Sequence, residues 1–167
     1  MVHLLIALLF STLAIAAETD PLFSHMVGHW QGLGQRVFFN SGRHVALKAD
    51  VFTTVTDSRL VSNNSWLEVT EGSEPFQYQR IYWIQPTQDP SLYELGYGTQ
   101  SRATVIGHFD NQAGRFEVKQ TVGNIRVEST TLFSEKGSVY FETTWAGTSK
   151  ISEATVQYTR VLDSPEN

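Results

Sequence analysis

The segment Gly28-His29-Trp30-Gln31-Gly32-Leu33-Gly34 opens the part of the chain that decides the fold. From there to Val161 the sequence has one strand-like run after another, each ended by a turn signal such as Asn40-Ser41-Gly42. A Trp begins the first predicted strand, and Arg160 stands near the end of the last. We interpret these two residues as the place where a sheet closes on itself, because closure removes both edge strands.

The strand pattern predicts an all-β, antiparallel up-and-down barrel of about ten strands. No segment with helical periodicity separates the strands, which excludes a βαβ arrangement. Residues 18–27 predict a short helical turn ahead of the first strand, because their apolar residues recur at helical spacing. A flattened sandwich is the alternative, and it would leave Trp30 and Arg160 far apart. The predicted strands are 29–39, 43–56, 60–70, 76–84, 93–97, 103–109, 116–122, 125–133, 139–145 and 151–162.

Residues 1–17 have the layout of a secretory signal peptide that is cleaved. An apolar run, Leu4-Leu5-Ile6-Ala7-Leu8-Leu9-Phe10, is too short to span a bilayer comfortably, and the A-x-A-like site Ala14-Ile15-Ala16 follows it. We therefore expect an exported protein, periplasmic or secreted, with no stable membrane insertion after cleavage; a retained membrane anchor is the alternative. Residues 18–162 are expected to form a single domain, because no linker divides them, and residues 163–167 a flexible tail.

Composition excludes several classes of protein. The absence of cysteine excludes disulfides and a lipidated cysteine at the cleavage site, so the core alone must hold the fold. The 17 acidic residues outnumber the 12 basic ones, and the sequence has no run of Lys and Arg that could bind a phosphate backbone. Nucleic acid is therefore not an expected partner.

The opening motif and Arg160 resemble the signature of a known superfamily. Gly28-His29-Trp30 is similar to the G-x-W that begins the first strand in lipocalins and related calycins, and Arg160 resembles the basic residue that packs over that Trp. The longer run to Gly34 resembles the G-x-W-x-G-x-G opening of nitrobindin-like haem-binding barrels. The resemblance implies a calycin-like barrel in which Gly28, Trp30 and Arg160 have structural roles in closure.

Two departures from those families limit what the resemblance implies. The T-D-x-x-x-Y-like element of kernel lipocalins is absent. Residues 151–161 contain no His where nitrobindin-like proteins place their iron ligand. We therefore predict no haem and no other cofactor.

The fourth predicted strand is the richest source of candidate binding residues. Tyr78, Arg80 and Tyr82 share one face of it, since alternate residues of a strand point the same way. If that face lines the lumen, Arg80 would clamp an acidic or carbonyl-bearing apolar ligand. The alternative is that Glu94, on the following strand, pairs with Arg80 across the sheet. The predicted ligand-binding residues are Phe52, Trp66, Tyr78, Arg80, Tyr82, Glu94, Tyr97, His108 and Trp145.

The sequence carries no signature of an enzyme or a metal site. It has no nucleophile elbow, phosphate-binding loop or cysteine nucleophile, and its histidines lack metal-ligand spacing. We predict no catalytic residue and no metal ligand. The expected function is non-enzymatic binding of a small, largely apolar or amphipathic ligand in the barrel lumen. A packed exported domain that acts through surface protein contacts is one alternative, and a barrel isomerase or lyase is another.

Overall fold

The computed structural model describes residues 20–99 and 104–162. The predicted leader, 1–17, and the predicted tail, 163–167, lie outside these ranges. In the part described, no helix combines the length and apolar character needed to cross a membrane. The elements are α1 (Pro21–Met26), β1 (Gly28–Phe38), β2 (Arg43–Thr56), β3 (Arg59–Val69), β4 (Phe76–Pro86), β5 (Leu92–Tyr97), β6 (Val105–Asp110), β7 (Arg115–Val122), β8 (Ile125–Ser134), β9 (Gly137–Ala146) and β10 (Ser149–Arg160).

The ten strands form one closed antiparallel barrel, which confirms the predicted fold class. Each strand pairs with its neighbours in sequence, and β1 closes the barrel by pairing with β10. Each strand is paired on both sides over at least part of its length, as the up-and-down prediction required. The flattened sandwich is excluded, because Trp30 pairs directly with Arg160 in the β1–β10 register.

The short helix α1 covers one end of the barrel. Asp20 is its N-cap, and the carboxylate accepts a hydrogen bond from the Phe23 N–H at 3.0 Å. Pro21 follows at the first helical position, where its missing N–H costs nothing. Leu22 and Phe23 are fully buried, so the helix inserts two apolar side chains into that end of the barrel.

Three contacts hold the closure of the barrel together. The Arg160 guanidinium lies over the Trp30 ring, with its Cζ 4.7 Å from the ring centroid. The same guanidinium donates to the Val27 carbonyl at 2.7 Å, and the Trp30 indole donates to the Met26 carbonyl at 2.9 Å. Gly28 has a φ of +127°, which L residues rarely adopt, so a side chain there would strain the chain where it enters β1.

Gly34 lets β1 and β10 approach each other closely. A Cβ at Gly34 would lie 2.0 Å from the Thr155 carbonyl oxygen of β10, which is impossible without moving the backbone. A Cβ at Gly32 would meet the Tyr158 ring at 2.6 Å. These glycines therefore serve strand packing at the seam of the barrel.

Two apolar clusters fill the barrel only in part. The first lies against α1 and is built around Leu22, Phe23, Leu60, Ile84, Tyr93, Leu95, Val105, Phe109 and Phe116. The second lies on the inner side of the closure and is built around Val45, Leu47, Ala49, Val51, Trp66, Ala154 and Val156.

Candidate functional site

A cavity of about 880 Å³ occupies the barrel interior. Aromatic and aliphatic side chains of both clusters line it, among them Trp30, Trp66 and Phe116. Polar side chains join them from several strands, and Arg36 and Arg80 are the two guanidinium groups among the described residues of the wall. The interior is therefore an open lumen with a mixed wall, and a fully packed barrel is excluded.

The mouth of this lumen lies beside the short hairpin of β5 and β6. Residues 76–81 of β4 pair only with β3, and residues 119–122 of β7 pair only with β8, within the residues described. Tyr97 and Gln120 face each other across this interval, and the Tyr97 hydroxyl donates to Gln120 Oε1 at 3.3 Å. Arg80 and Tyr97 are both exposed and both line the cavity, so they stand where the lumen meets solvent.

Five of the predicted binding residues lie on the inner face of the barrel. Trp66, Arg80, Tyr82 and Tyr97 line the cavity itself. Tyr78 is on the same face but is not among the residues that line the cavity, and its ring is stacked on that of Trp66 with centroids 6.4 Å apart. The structure therefore brings the aromatic residues of β3, β4 and β5 together around Arg80, and whether they bind a ligand stays a prediction.

Phe52 and Trp145 point away from the lumen, which corrects their predicted place in the site. Phe52 is 51% exposed and stacks on His29 outside the barrel, with ring centroids 4.0 Å apart. Trp145 lies under the Arg126 guanidinium at 4.9 Å. In each case the strand neighbour, Thr53 or Thr144, is the residue that lines the cavity. The alternation of a strand puts the two on opposite faces.

Glu94 and His108 also lie on the outer face, and the Arg80–Glu94 pair does not form. Inward Leu95 follows Glu94, and inward Phe109 follows His108, so both polar side chains face outward. Glu94 is opposite Gln85 in the β4–β5 register. The pairing of β4 with β5 begins only at Tyr82, so Arg80 lies outside the paired part of β4. The two residues are on different faces and at different levels of the barrel.

Arg80 stands among tyrosines. Its Cζ lies 4.9 Å from the Tyr78 ring centroid. Burial raises the pKa of Tyr97 and of Tyr158, and the positive charge of Arg80 opposes that rise at both phenols. Among the residues described, no carboxylate lies within ion-pair distance of Arg80. The mouth of the lumen therefore presents an unpaired guanidinium beside neutral phenols.

A charge network that sequence reasoning missed lies deeper in the wall. Arg36 bridges two carboxylates, donating from Nη1 to Glu68 Oε1 and from Nη2 to Glu142 Oε1, each at 3.0 Å. The Tyr78 hydroxyl donates to Glu68 at 3.1 Å, and the Tyr140 hydroxyl donates to Glu142 at 2.7 Å. Between 13% and 18% of each charged side chain is exposed, so the ion pairs are shielded from solvent.

The phenols that face this network stay protonated at neutral pH. Burial, with the nearby Glu142 charge, raises the pKa of Tyr140 and of Tyr158 well above the ordinary 10.0. Burial likewise raises the pKa of Tyr82. These hydroxyls therefore keep their protons at neutral pH and do not act as general bases.

A second depression, of about 800 Å³, lies against β1, β2, β3 and β10. Polar side chains such as Lys48, Asp50 and Gln157 make up much of its wall, around Leu33, which is 64% exposed. Its residues converge on no charge network or aromatic cluster comparable with the lumen. We therefore take the lumen as the candidate site.

Comparison with known proteins identifies the fold and no family. The sequence matches no protein-family model and no curated protein. The S-type phycobiliprotein lyase from Guillardia theta has a matching fold, with a TM-score of 0.66 at 11% identity over 91% of this chain and 98% of that one. A DUF3598-family protein of unknown function from Nostoc punctiforme matches with a TM-score of 0.58 at 12% identity, over 83% of this chain and 49% of that one. At such identities the likeness concerns the fold alone, and that fold fits a calycin-like barrel.

Proposed function

We propose that this protein is an exported, non-enzymatic binding protein that holds a small, largely apolar molecule in its barrel lumen. The cavity of about 880 Å³ carries the proposal. Ligand sites typically enclose roughly 300–1,000 Å³, with an apolar wall and a few polar groups that orient the ligand. The lumen has that size and that kind of wall, and Arg80 at its mouth is the group that would orient the polar end of the ligand.

The non-enzymatic part of the proposal rests on the state of the ionisable groups. Arg36 engages both carboxylates of the inner network, and the buried phenols have raised pKa values. These buried phenols are therefore not poised to give up a proton near neutral pH. The neighbour from Guillardia theta is named a lyase, so a barrel lyase is the second candidate, and turnover of a bound molecule would favour it.

The proposal includes no haem, because the lumen offers the iron no suitable imidazole. The inward residues of β10 are Ser152, Ala154, Val156 and Tyr158. Among the described residues that line the cavity, His25 is the one histidine, and its ring lies flat on Phe133 with centroids 4.9 Å apart. In the same part of the chain, no three His, Asp or Glu side chains are placed to hold a metal ion.

Export is supported by residues 1–17, where an apolar run leads to Ala14-Ile15-Ala16. Native mass spectrometry of the full chain, expressed in a secreting host and freshly purified from the exported fraction, tests export and binding together. We expect a mature amino terminus close to Ala17 and a co-purified small molecule. An uncleaved chain would contradict export, and it would leave the binding proposal to the next experiment.

Filling the lumen provides the direct test of binding. Ser129 lines the cavity on β8, and its neighbour Thr130 points outward. We expect Ser129→Trp to weaken binding of the neutral fluorophore N-phenylnaphthylamine by at least about tenfold, because the indole would occupy the space of the probe. The matched variant Thr130→Trp should bind the probe like the wild type. Equal binding by both variants would place the probe outside the lumen and refute the proposal.

A further inference from the structure

The charges of the lumen are divided unequally between its two arginines. Among the residues described, Glu142 lines the lumen with Arg36 and Arg80, Glu68 lies beside them, and Arg36 pairs with both carboxylates. Each carboxylate also accepts a hydrogen bond from a tyrosine hydroxyl, which fixes its position further. Arg80 makes a cation–π contact with the Tyr78 ring and, among the residues described, no ion pair.

Glu142 faces the same space as Arg80 without pairing with it. The charges of both residues act on the phenols of Tyr97 and Tyr158, in opposite directions. A carboxylate that shares the lumen with a free guanidinium is a natural partner for it. Glu142 instead pairs with Arg36 Nη2 and accepts a hydrogen bond from the Tyr140 hydroxyl.

We propose that the ligand of the lumen carries one acidic group that pairs with Arg80, and that Arg36 makes Arg80 available by holding Glu68 and Glu142. The inference rests on the proposed function, since it names the chemical class of the lumen ligand. Arg36 is a positioning residue in this scheme. The attraction between a bound anion and the Arg80 guanidinium exceeds the repulsion from the two carboxylates. Arg36 neutralises the carboxylate charges in part, and they lie farther from the anion than Arg80 does.

The groups at the mouth favour an anion over a neutral or cationic ligand. The Tyr158 hydroxyl lines the lumen and can donate to an anionic oxygen, whereas the Tyr97 hydroxyl already donates to Gln120. Arg36 Nε and Trp66 Nε1 are further buried N–H groups that have no acceptor among the residues described. The net charge of −5 does not oppose this selectivity strongly, because salt screens distant charges over about 8 Å.

Two fluorescent probes that share a ring system test the inference. Anilinonaphthalene sulfonate carries an anionic group, and N-phenylnaphthylamine lacks it. We expect Arg80→Gln to weaken sulfonate binding by at least about tenfold, which is the loss for a charged hydrogen bond, and to change amine binding by less than about twofold. The control Arg126→Gln removes an arginine from the outer face and should change neither affinity.

The outcomes separate the inference from the proposed function. If the amine binds and sulfonate binding is unaffected by Arg80→Gln, the acidic-ligand inference fails while the proposed function stands. If neither probe binds the wild-type protein, both fail. Weaker binding of both probes to Arg80→Gln would make Arg80 a general wall residue and would also overturn the inference.

Arg36 is tested with variants that release or remove the carboxylates. Arg36→Lys keeps the positive charge but cannot bridge two carboxylates in a fork, so we expect it to free one of them toward Arg80. Sulfonate affinity should fall several-fold, amine affinity should hold, and Arg36→Lys with Glu142→Gln should restore sulfonate binding. If Arg36→Lys does not fold, a triple variant that removes all three charges, Arg36→Met with Glu68→Gln and Glu142→Gln, should bind sulfonate like the wild type. Failure of the restoration, or loss of sulfonate binding in the triple variant, would refute the role of Arg36.

Discussion

Replacing Arg160 by Ala should destabilise the barrel by about 1–2 kcal/mol. The substitution removes the guanidinium that lies 4.7 Å from the Trp30 ring centroid, a contact worth about 0.5–1 kcal/mol at an exposed site. It also removes the 2.7 Å hydrogen bond to the Val27 carbonyl, to which we assign about 0.5–1 kcal/mol because Arg160 is exposed. For a domain of this size the sum corresponds to a fall in melting temperature of about 3–10 °C.

Thermal unfolding followed by circular dichroism measures this change, and Arg43→Ala is the matched control. Arg43 is also exposed and also lies over an aromatic ring, that of Phe38 at 4.5 Å, but its side chain makes no hydrogen bond among the residues described. We expect Arg43→Ala to cost about 0.5–1 kcal/mol, the value of its ring contact alone. Arg160→Ala must therefore cost clearly more than Arg43→Ala. Equal losses in the two variants, or no loss in Arg160→Ala, would refute the role of Arg160 in closure.

Two further predictions concern the buried tyrosines and the seam of the barrel. Burial raises the pKa of Tyr158 in the folded state above that of the unfolded chain. The contribution of Tyr158 to the free energy of unfolding is therefore complete below about pH 10, where the unfolded tyrosine begins to ionise, and it is lost as the pH rises further. The urea midpoint should therefore fall between about pH 9 and pH 11, and fall less in Tyr158→Phe; an unchanged wild-type midpoint would contradict the burial argument. Gly34→Ala should destabilise the fold by about 3 kcal/mol or more in urea unfolding, since its Cβ would collide with the Thr155 carbonyl. Stability within about 0.5 kcal/mol of the wild type would show that the two strands separate easily there.

The strands and the closure of the barrel were predictable because their signals are local. β2 begins and ends where the sequence predicts, at Arg43 and Thr56, and the other boundaries differ by two residues or fewer. Turn residues mark these ends, since glycine and its neighbours adopt backbone angles that a strand does not. α1 begins at Pro21, later than the predicted start of the helical turn at residue 18, because Asp20 is its N-cap.

The site was predictable only in part, because a strand pattern does not say which of its two faces is inside. On β4 the face with Tyr78, Arg80 and Tyr82 carries aromatics, but so does the opposite face with Trp83, which is also buried. Because Phe52 and Trp145 are large and apolar, the sequence predicts them in the lumen. Their positions on the outer face show that aromatic character alone does not assign a face.

By itself, the sequence determined the number of strands, their order and the pairing of the first with the last. Short turns bring successive strands together, and the residues that signal a turn or a strand are neighbours in the chain. Only the tertiary structure decided what the lumen contains. Arg36 meets Glu68 and Glu142 from 32 and 106 residues away, and this pairing leaves Arg80 free at the mouth. Such contacts depend on the register and curvature of the closed barrel, which no local pattern encodes.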